Sequence, residues 1–76
     1  MRSRPILKNL GDEVRARRQE RKLSQEALAH AAGLNINTLR RLERAKAEPQ
    51  ILTLFDVAMG LNMPLSALIA GVERRQ

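Results

Sequence analysis

The amino-acid sequence predicts an all-α fold of five short helices. Apolar residues recur at helical spacing from the first segment onwards, where Leu7, Leu10 and Val14 stand at i, i+3 and i+7 with charged residues between them. No segment alternates apolar and polar residues for long enough to form a strand, and Phe55 is the only aromatic residue. The 76 residues are expected to form a single domain, 1–76, with a small core.

Residues with restricted backbone preferences mark the ends of the first two helices. Helix 1 is predicted at 6–20, because Pro5 is tolerated in a first helical turn and the apolar spacing starts just after it. Helix 2 is predicted at 25–32, with Ser24 as an N-cap that accepts a hydrogen bond from the free amides of the next turn. Gly33 stands where a left-handed residue would end that helix.

A third helix is predicted at 36–44, directly after that glycine. Asn35 is a second N-cap, and Leu34 and Leu39 stand at hydrophobic-staple positions on either side of it. Caps on both sides of one glycine predict two short helices joined by a tight turn rather than one kinked helix.

The two faces of helix 3 differ in chemistry. At about 100° per residue, Leu42 and Glu43 fall within about 60° of Leu39 and face the core. The opposite face carries amide and guanidinium groups, which can make bidentate hydrogen bonds with adenine and guanine edges. The outward residues are Asn37, Arg41 and Arg44, flanked by Thr38 and Arg40. This pattern favours a helix that contacts nucleic acid, and the alternative is an ordinary solvated face.

Two apolar helices complete the predicted fold. Helix 4 is predicted at 51–60, capped by Gln50 or Thr53, and helix 5 at 64–70, beginning at Pro64. Together they hold more apolar residues than a core against helices 1–3 needs. A leftover apolar patch beside a basic segment indicates a partner, and the alternative is a merely apolar C-terminal segment.

The charge is strongly basic and unevenly distributed. The formal net charge is +6, and residues 1–22 alone hold eight Lys or Arg against three acids. Residues 40–46 are also basic, whereas 51–72 hold a single charge. This distribution indicates a polyanionic partner, and the alternative is a well-solvated surface. Three acids on helix 1 are expected to screen its charge: Asp12, Glu13 and Glu20.

Several classes of function find no support in the sequence. There is no cysteine, so no disulfide or thiolate metal site is expected, and His30 has no carboxylates arranged around it for catalysis. Neither a glycine-rich phosphate loop nor a metal-ligand constellation occurs. The apolar runs are too short to span a bilayer, and MRSRP lacks a signal-peptide core. We therefore expect a cytoplasmic protein that is not an enzyme and needs no cofactor.

The ordered pattern of residues 9–69 resembles the Xre family of helix-turn-helix proteins, which are also called lambda-repressor-like or Cro/cI-type. No single element is specific, whereas the ordered set at these spacings is. The matching positions are Leu10, Gly11, Val14, Arg15, Arg18, Leu23, Ser24, Gln25, Leu28, Ala29, Gly33, Leu34, Asn35, Leu39, Leu42, Glu43, Pro49, Leu54, Ala58, Leu61, Met63 and Leu68. The resemblance implies a compact five-helix fold in which helix 3 enters the major groove of duplex DNA and helix 2 lies across it.

The resemblance implies a sequence-specific transcriptional regulator that binds a palindromic operator as a homodimer. Gln25 matches a position that touches the DNA backbone or a base, and Ile36 is either half-buried or in contact with a thymine methyl group. The predicted DNA-binding residues are Ser24, Gln25, Asn35, Ile36, Asn37, Thr38, Arg40, Arg41, Arg44 and Lys46. The expected dimer interface uses helix 5 and the turn before it, with Leu61, Met63, Leu65 and Ile69 as candidates.

A structural ion pair is also implied. Glu43 faces inward on helix 3, and a buried carboxylate requires a cation. The family pairs this glutamate with an arginine at the position of Arg18, which borders the buried stripe of helix 1. The competing interpretation makes Arg18 a phosphate contact.

Three departures from the family pattern concern helix ends. Ala45 replaces the usual glycine after helix 3, so the turn there is expected to differ, since a left-handed alanine costs roughly 1 kcal/mol. Ala27 removes the capping box of helix 2. Asn62 replaces a glycine after helix 4, which is a mild change because asparagine tolerates left-handed geometry.

A second class of function stays open beside the general regulator. The chain could be an antitoxin-like or restriction-modification controller subunit, whose partner is another protein as well as DNA. A helix-turn-helix shape that no longer binds DNA is the third interpretation, and the outward Asn37 and Arg41 argue against it.

Overall fold

Five α-helices make up the described part of the protein. In the computed structural model, which describes residues 4–76, they are α1 (Arg4–Glu20), α2 (Gln25–Ala32), α3 (Ile36–Glu43), α4 (Ile51–Gly60) and α5 (Leu65–Arg74). No strand occurs among these described residues, so the predicted all-α class is confirmed. Residues 1–3, the first part of the basic stretch, lie outside the described range.

The helices enclose one small hydrophobic core. α2 packs against α3 and α4, while α1 packs against α3 and α5. All five helices or their caps contribute buried apolar side chains, which removes their surface from water and stabilises the fold. The core residues are Leu10, Val14, Leu28, Ala29, Leu39, Leu42, Val57, Ala58, Leu61, Leu68 and Val72.

The helices α1 to α4 each end in the same left-handed cap. The residues with positive φ are Lys22 (57°), Gly33 (68°), Ala45 (57°) and Asn62 (56°). In each case the next amide donates to the carbonyl five residues back, at 2.8–3.1 Å, which is the Schellman pattern. The expectation that Ala45 changes its turn is therefore wrong. The hydrogen bonds hold the alanine in the left-handed conformation in spite of its strain.

The fifth helix is longer than the sequence predicted. It begins after Pro64, which is its N-cap, and it continues to Arg74 instead of ending at residue 70. Gly71 suggests a helix end by sequence, but here it lies buried inside α5, where any side chain would clash with the carboxylate of Glu13. Packing of Val72 in the core outweighs the low helix propensity of the glycine.

The remaining boundaries agree closely with the predictions. α2 and α4 have the predicted bounds, α1 starts two residues earlier, and α3 ends one residue earlier. The expected side-chain cap of α4 is wrong, because Gln50 takes the N-cap backbone geometry without a side-chain hydrogen bond and Thr53 lies inside the helix. Among the described residues no single helix is long and apolar enough to cross a membrane. α4 and α5 reach that length and hydropathy only together, as a pair bent by 100°.

Candidate nucleic-acid interface

The two faces of α3 are separated as the helical pattern predicted. Leu39, Leu42 and Glu43 are buried against the other helices. The side chains of Asn37, Thr38, Arg41 and Arg44 are exposed, and Arg40 is half-buried beside them. Arg40 approaches the Asn37 side chain, with 3.5 Å between its Nη1 and the Asn37 Oδ1. The exposed face is therefore a strip of donors that offers amide and guanidinium groups to a partner.

Both helices of the pair begin at the predicted caps. The Ser24 hydroxyl oxygen accepts from the Ala27 amide at 3.0 Å, and the Asn35 Oδ1 accepts from the Asn37 amide at 2.8 Å. Both capping residues are exposed, so each fixes the start of a helix at the protein surface. Ile36, the first residue of α3, is half-buried and packs against the core, which leaves it little reach towards a partner.

An open groove joins α2 to the exposed face of α3. Its volume is about 720 Å³, and it holds four cationic side chains and no acid. The lining residues are Gln25, Asn37, Arg40, Arg41, Arg44 and Lys46. Positive charge concentrated in a concave surface attracts a polyanion more strongly than the same charges spread over the molecule. Six of the ten predicted DNA-binding residues therefore lie together in one basic groove.

The buried carboxylate of Glu43 adjoins this groove through Gln25, one of the lining residues. Arg18 of α1 donates to both of its oxygens, from Nε to Oε2 at 2.7 Å and from Nη2 to Oε1 at 3.0 Å. The Glu43 side chain is only 1% exposed, so the pair is shielded from solvent. The hydrogen bond with Glu43 raises the pKa of Arg18, against the opposing effect of burial. Arg18 also donates to the Leu23 carbonyl at 3.0 Å, which ties in the turn before α2.

Two further contacts at Glu43 were not expected from the sequence. Arg15 donates from Nη2 to the Glu43 backbone carbonyl at 2.8 Å, at the C-terminal end of α3. Gln25 donates from Nε2 to the carboxylate at 3.0 Å. A signal for Arg15 existed, because Arg15 and Arg18 are one turn apart on α1 and share a face. No comparable spacing signals the contact of Gln25, which depends on how α2 crosses α3.

A second carboxylate is buried at the other side of α1. Glu13 is 5% exposed and accepts from Arg17 at 2.7 Å and from Arg75 at 2.8 Å. Burial alone would raise the pKa of Glu13, but the hydrogen bonds from Arg75 and Arg17 outweigh it and lower the pKa below its usual value. Glu13 therefore does screen a basic side chain of its own helix, Arg17, and its bond with Arg75 in addition ties α1 to the residue that follows α5.

Asp12 does behave as a surface acid. It accepts from Lys8 at 2.7 Å and lies 3.6 Å from Arg15. The hydrogen bond from Lys8 lowers the pKa of Asp12, against a smaller effect of burial. Asp12 thus holds two basic side chains of α1 in place without entering the core.

The candidate dimer residues are not equally accessible. Leu61 is fully buried in the core, so its proposed place in an interface is wrong: the side chain already fills the space between helices. Met63 and Leu65 are half-buried, and Ile69 borders an apolar groove with Ile6 and Val72. The most exposed large apolar residues lie instead mainly on one side of α4: Ile51, Leu52, Phe55 and Met59.

The comparison with known families decides what this arrangement of helices is. The helix-turn-helix family model HTH_3 matches residues 14–68, which include the capped pair, the groove and the Arg18–Glu43 pair. The chain belongs to the helix-turn-helix family. The resemblance to the Xre, or lambda-repressor-like, group is thereby confirmed. The match begins inside α1 and ends inside α5, so most of the described fold is the family's own.

Relatives and solved structures agree with this assignment. The chain is 40% identical over 53 residues to the HTH-type transcriptional regulator SutR of Escherichia coli, covering 70% of this chain and 30% of SutR. It is 38% identical over 60 residues to the immunity repressor protein of Bacillus phage phi105, covering 79% of this chain and 42% of the repressor. The chain thus spans less than half the length of these two relatives.

One solved structure is similar in both fold and sequence. The restriction-modification controller protein C.AhdI of Aeromonas hydrophila matches with a TM-score of 0.79 and 27% identity. The match covers 82% of this chain and 94% of that protein. The likeness therefore extends over nearly the whole controller protein.

Proposed function

We propose that this helix-turn-helix chain binds duplex DNA at specific sequences and regulates transcription, with α3 in the major groove. One observation carries the proposal: α3 buries Leu39, Leu42 and Glu43 and exposes a strip of amide and guanidinium donors. An α-helix fits the width of the major groove, where these donors meet the acceptors of base edges. The relatives SutR and the phi105 repressor, named as regulators, support the same assignment.

The donors divide into two roles. Asn37 and Arg41 stand near the middle of the exposed face, flanked by Thr38 and Arg40, and Asn37, Thr38 and Arg41 are proposed to contact base edges. Arg44 and Lys46 lie at the end of the groove and are proposed to contact phosphates, which position the helix without reading the sequence. The capping residues Ser24 and Asn35 are proposed to approach the backbone at the two helix starts, and Ile36 contributes to packing.

A homodimer on a palindromic operator is part of the proposal. A two-fold dimer presents two recognition helices about 34 Å apart, which is about one turn of DNA. Each protomer would then read one half-site of an inverted repeat. Doubling the DNA-binding surface also explains how a helix of eight residues could reach operator affinity.

The proposed dimer surface comprises α5 and the turn before it. Met63, Leu65 and Ile69 remain the candidate residues after the exclusion of Leu61. Met59 extends this surface, because it is 75% exposed and shares a shallow groove with Met63 and Pro64. Covering these side chains with a second copy would remove apolar surface from water.

A second candidate function is that of a restriction-modification controller or an antitoxin-like regulator. The similarity to C.AhdI over 94% of that protein favours the controller. The exposed apolar side of α4, with Ile51, Leu52 and Phe55, offers a surface on which a protein partner could bind. Both candidates share the same DNA-binding face, and both act by binding in the cytoplasm, without catalysis or a cofactor.

Selection from random duplex DNA tests the proposal. We expect the purified protein to enrich an inverted repeat whose half-site centres are about one helical turn apart. The enriched duplex should compete against random duplex at moderate salt, since specific contacts resist salt better than non-specific ones. Enrichment of no duplex sequence, or of single-stranded or RNA ligands only, would reject the proposed function.

A further inference from the structure

The side chain of Gln25 lies between the buried Glu43 and the basic groove. Its Nε2 donates to the Glu43 Oε1 at 3.0 Å, and the residue also lines the groove together with Asn37 and Arg41. The amide nitrogen of Gln25 is thus hydrogen-bonded to a buried carboxylate. Which amide atoms remain to face the groove follows from the chemistry of the amide and the carboxylate.

The carboxylate determines which way the amide points. Arg18 donates to both oxygens of the Glu43 side chain, so both oxygens act as acceptors. Gln25 must therefore turn its NH₂ group towards Glu43 and its oxygen away. Of the two amide hydrogens, the one trans to the oxygen makes this bond, because the cis hydrogen would bring Oε1 against the negative carboxylate. The edge that remains carries Oε1 and the cis N–H side by side.

This remaining edge can be reached from the groove. No partner for the Gln25 Oε1 occurs among the side-chain hydrogen bonds of residues 5–76, whose side chains the structure describes. Within the same range, no buried side-chain nitrogen or oxygen is left without a hydrogen-bond partner. The Oε1 atom is therefore accessible to solvent, next to the four cationic side chains of the groove.

We infer that Gln25 reads an adenine in each half-site, an inference that rests on the proposed DNA binding by α3. Adenine alone presents a donor, N6, beside an acceptor, N7, in the major groove. This pair of adenine groups is complementary to an amide edge that carries one acceptor and one donor. Guanine presents two acceptors, and a phosphate presents only acceptors, so neither offers a donor to the Gln25 oxygen. Glu43 acts as the positioning residue that prevents the amide from rotating.

Operator selection with the wild-type protein and with Gln25→Met tests the inference. Methionine keeps the length of the side chain and removes the amide. We expect one adenine per half-site to lose its preference over other bases by about 5- to 100-fold, while preferences elsewhere persist. Gln19→Met is the matched control, because Gln19 is exposed on α1 and lies outside the groove. Thermal melting verifies that each variant is folded, and Gln25→Ala replaces the methionine variant if that one is not.

Base analogues then locate the contact. Each adenine of the selected half-site is replaced in turn by 7-deazaadenine, which lacks the N7 acceptor. One replacement should weaken binding of the wild type by a similar factor and leave binding of the Gln25 variant unchanged. Uniform weakening of all sequences by the variant, with no base preference altered, would indicate a phosphate contact and overturn the inference while DNA binding stands. A wild-type protein that selects no duplex sequence overturns the proposed function and the inference together.

Discussion

Arg18 and Glu43 form a bidentate ion pair that joins α1 to the end of α3, with N–O distances of 2.7 and 3.0 Å. The Arg18 side chain is 12% exposed and that of Glu43 is 1% exposed. An ion pair so shielded leaves a costly unpaired charge when either partner is removed. The pair holds the recognition helix from the side opposite the proposed DNA.

The first prediction concerns the coupling between these two residues. Glu43→Ala and Arg18→Ala should each lower the free energy of unfolding by about 3–5 kcal/mol, because each removes the bidentate partner of the other buried charge. The double variant should lose less than the sum, as measured by urea denaturation of all four proteins. Additive losses would contradict the pairing. So would an Arg18→Ala protein of unchanged stability and weaker DNA binding, which would assign Arg18 to a phosphate.

The second prediction separates base contacts from phosphate contacts. Arg41→Ala and Asn37→Ala should each cost about 1–3 kcal/mol of binding and relax preference at particular base pairs. Arg44→Ala and Lys46→Ala should weaken binding to all DNA sequences alike. The slope of log K against log salt concentration should become shallower by about one for each phosphate that the variant no longer binds. Fluorescence titration at several salt concentrations measures both effects.

A charge control accompanies those variants. Arg74→Ala removes one exposed positive charge from the end of α5, outside the groove. It should leave both base preference and salt dependence nearly unchanged. Our assignment of the groove is wrong if Arg41→Ala behaves like this control.

The third prediction concerns the dimer. Ile69→Glu should yield monomers and much weaker operator binding, because a charge cannot be buried in an apolar interface without a partner. Leu52→Glu is the matched control, since Leu52 is 69% exposed near the start of α4, two helical turns before Met59. Sedimentation of the three proteins at micromolar concentration provides the measurement. An interface on α4 would give the reverse result, with Leu52→Glu monomeric and Ile69→Glu dimeric.

The fourth prediction is a pH dependence of stability that originates at Glu13. Its pKa is lowered in the folded state by hydrogen bonds from Arg75 and Arg17, which prevail over burial. The charged form therefore stabilises the fold above the pKa of the unfolded chain, and this contribution disappears as the pH falls through the lower folded pKa. Melting temperatures measured from neutral to acidic pH should fall less steeply for Glu13→Gln. Glu20→Gln, which changes an exposed acid of the same helix, is the matched variant for the loss of one negative charge.

The fifth prediction uses two helix ends with the same geometry. Ala45→Gly should raise the free energy of unfolding by about 1 kcal/mol, because glycine relieves the left-handed strain at φ 57°. Gly33→Ala should lower it by a similar amount, since a methyl group there meets no atom within 4 Å and only backbone strain is added. Each change should shift the melting temperature by roughly 4–8 °C, in opposite directions. Equal melting temperatures for Ala45→Gly and the wild type would show that the strain is compensated elsewhere.

Most of the fold could be predicted from the sequence, because the signals that mark helix ends are local. Caps at Ser24 and Asn35 and the left-handed Gly33 set the bounds of α2 and the start of α3, and the structure has both caps. The fifth helix was predicted to end at residue 70, before Gly71, whereas in the structure Gly71 packs against the carboxylate of Glu13 inside the helix. That contact joins residues far apart in the sequence, and no local pattern indicates it.

The residues of the candidate site could be predicted from the sequence to a similar extent. Helical periodicity alone separates the exposed Arg41 from the buried Glu43, and the structure agrees. The roles of Arg15 and Gln25 at Glu43 depend on how α1, α2 and α3 cross, which periodicity does not determine. The same holds for Leu61, whose hydrophobicity suits a core or an interface equally well and which only the packing of the helices places in the core.

The close approach of α1 to α3 also has a consequence for how a wrong base pair is rejected. At Gly11 the two helices touch backbone to backbone, so that an added methyl group would lie 2.6 Å from the Glu43 carbonyl oxygen and 2.8 Å from that of Leu42. At this end of α3 no side chain separates the two backbones. On the proposed mode of binding, α3 would therefore meet DNA with this end already fixed, so that little conformational entropy is lost. We then expect a mismatched site to lose its hydrogen bonds outright, because this end of the helix cannot shift to recover them.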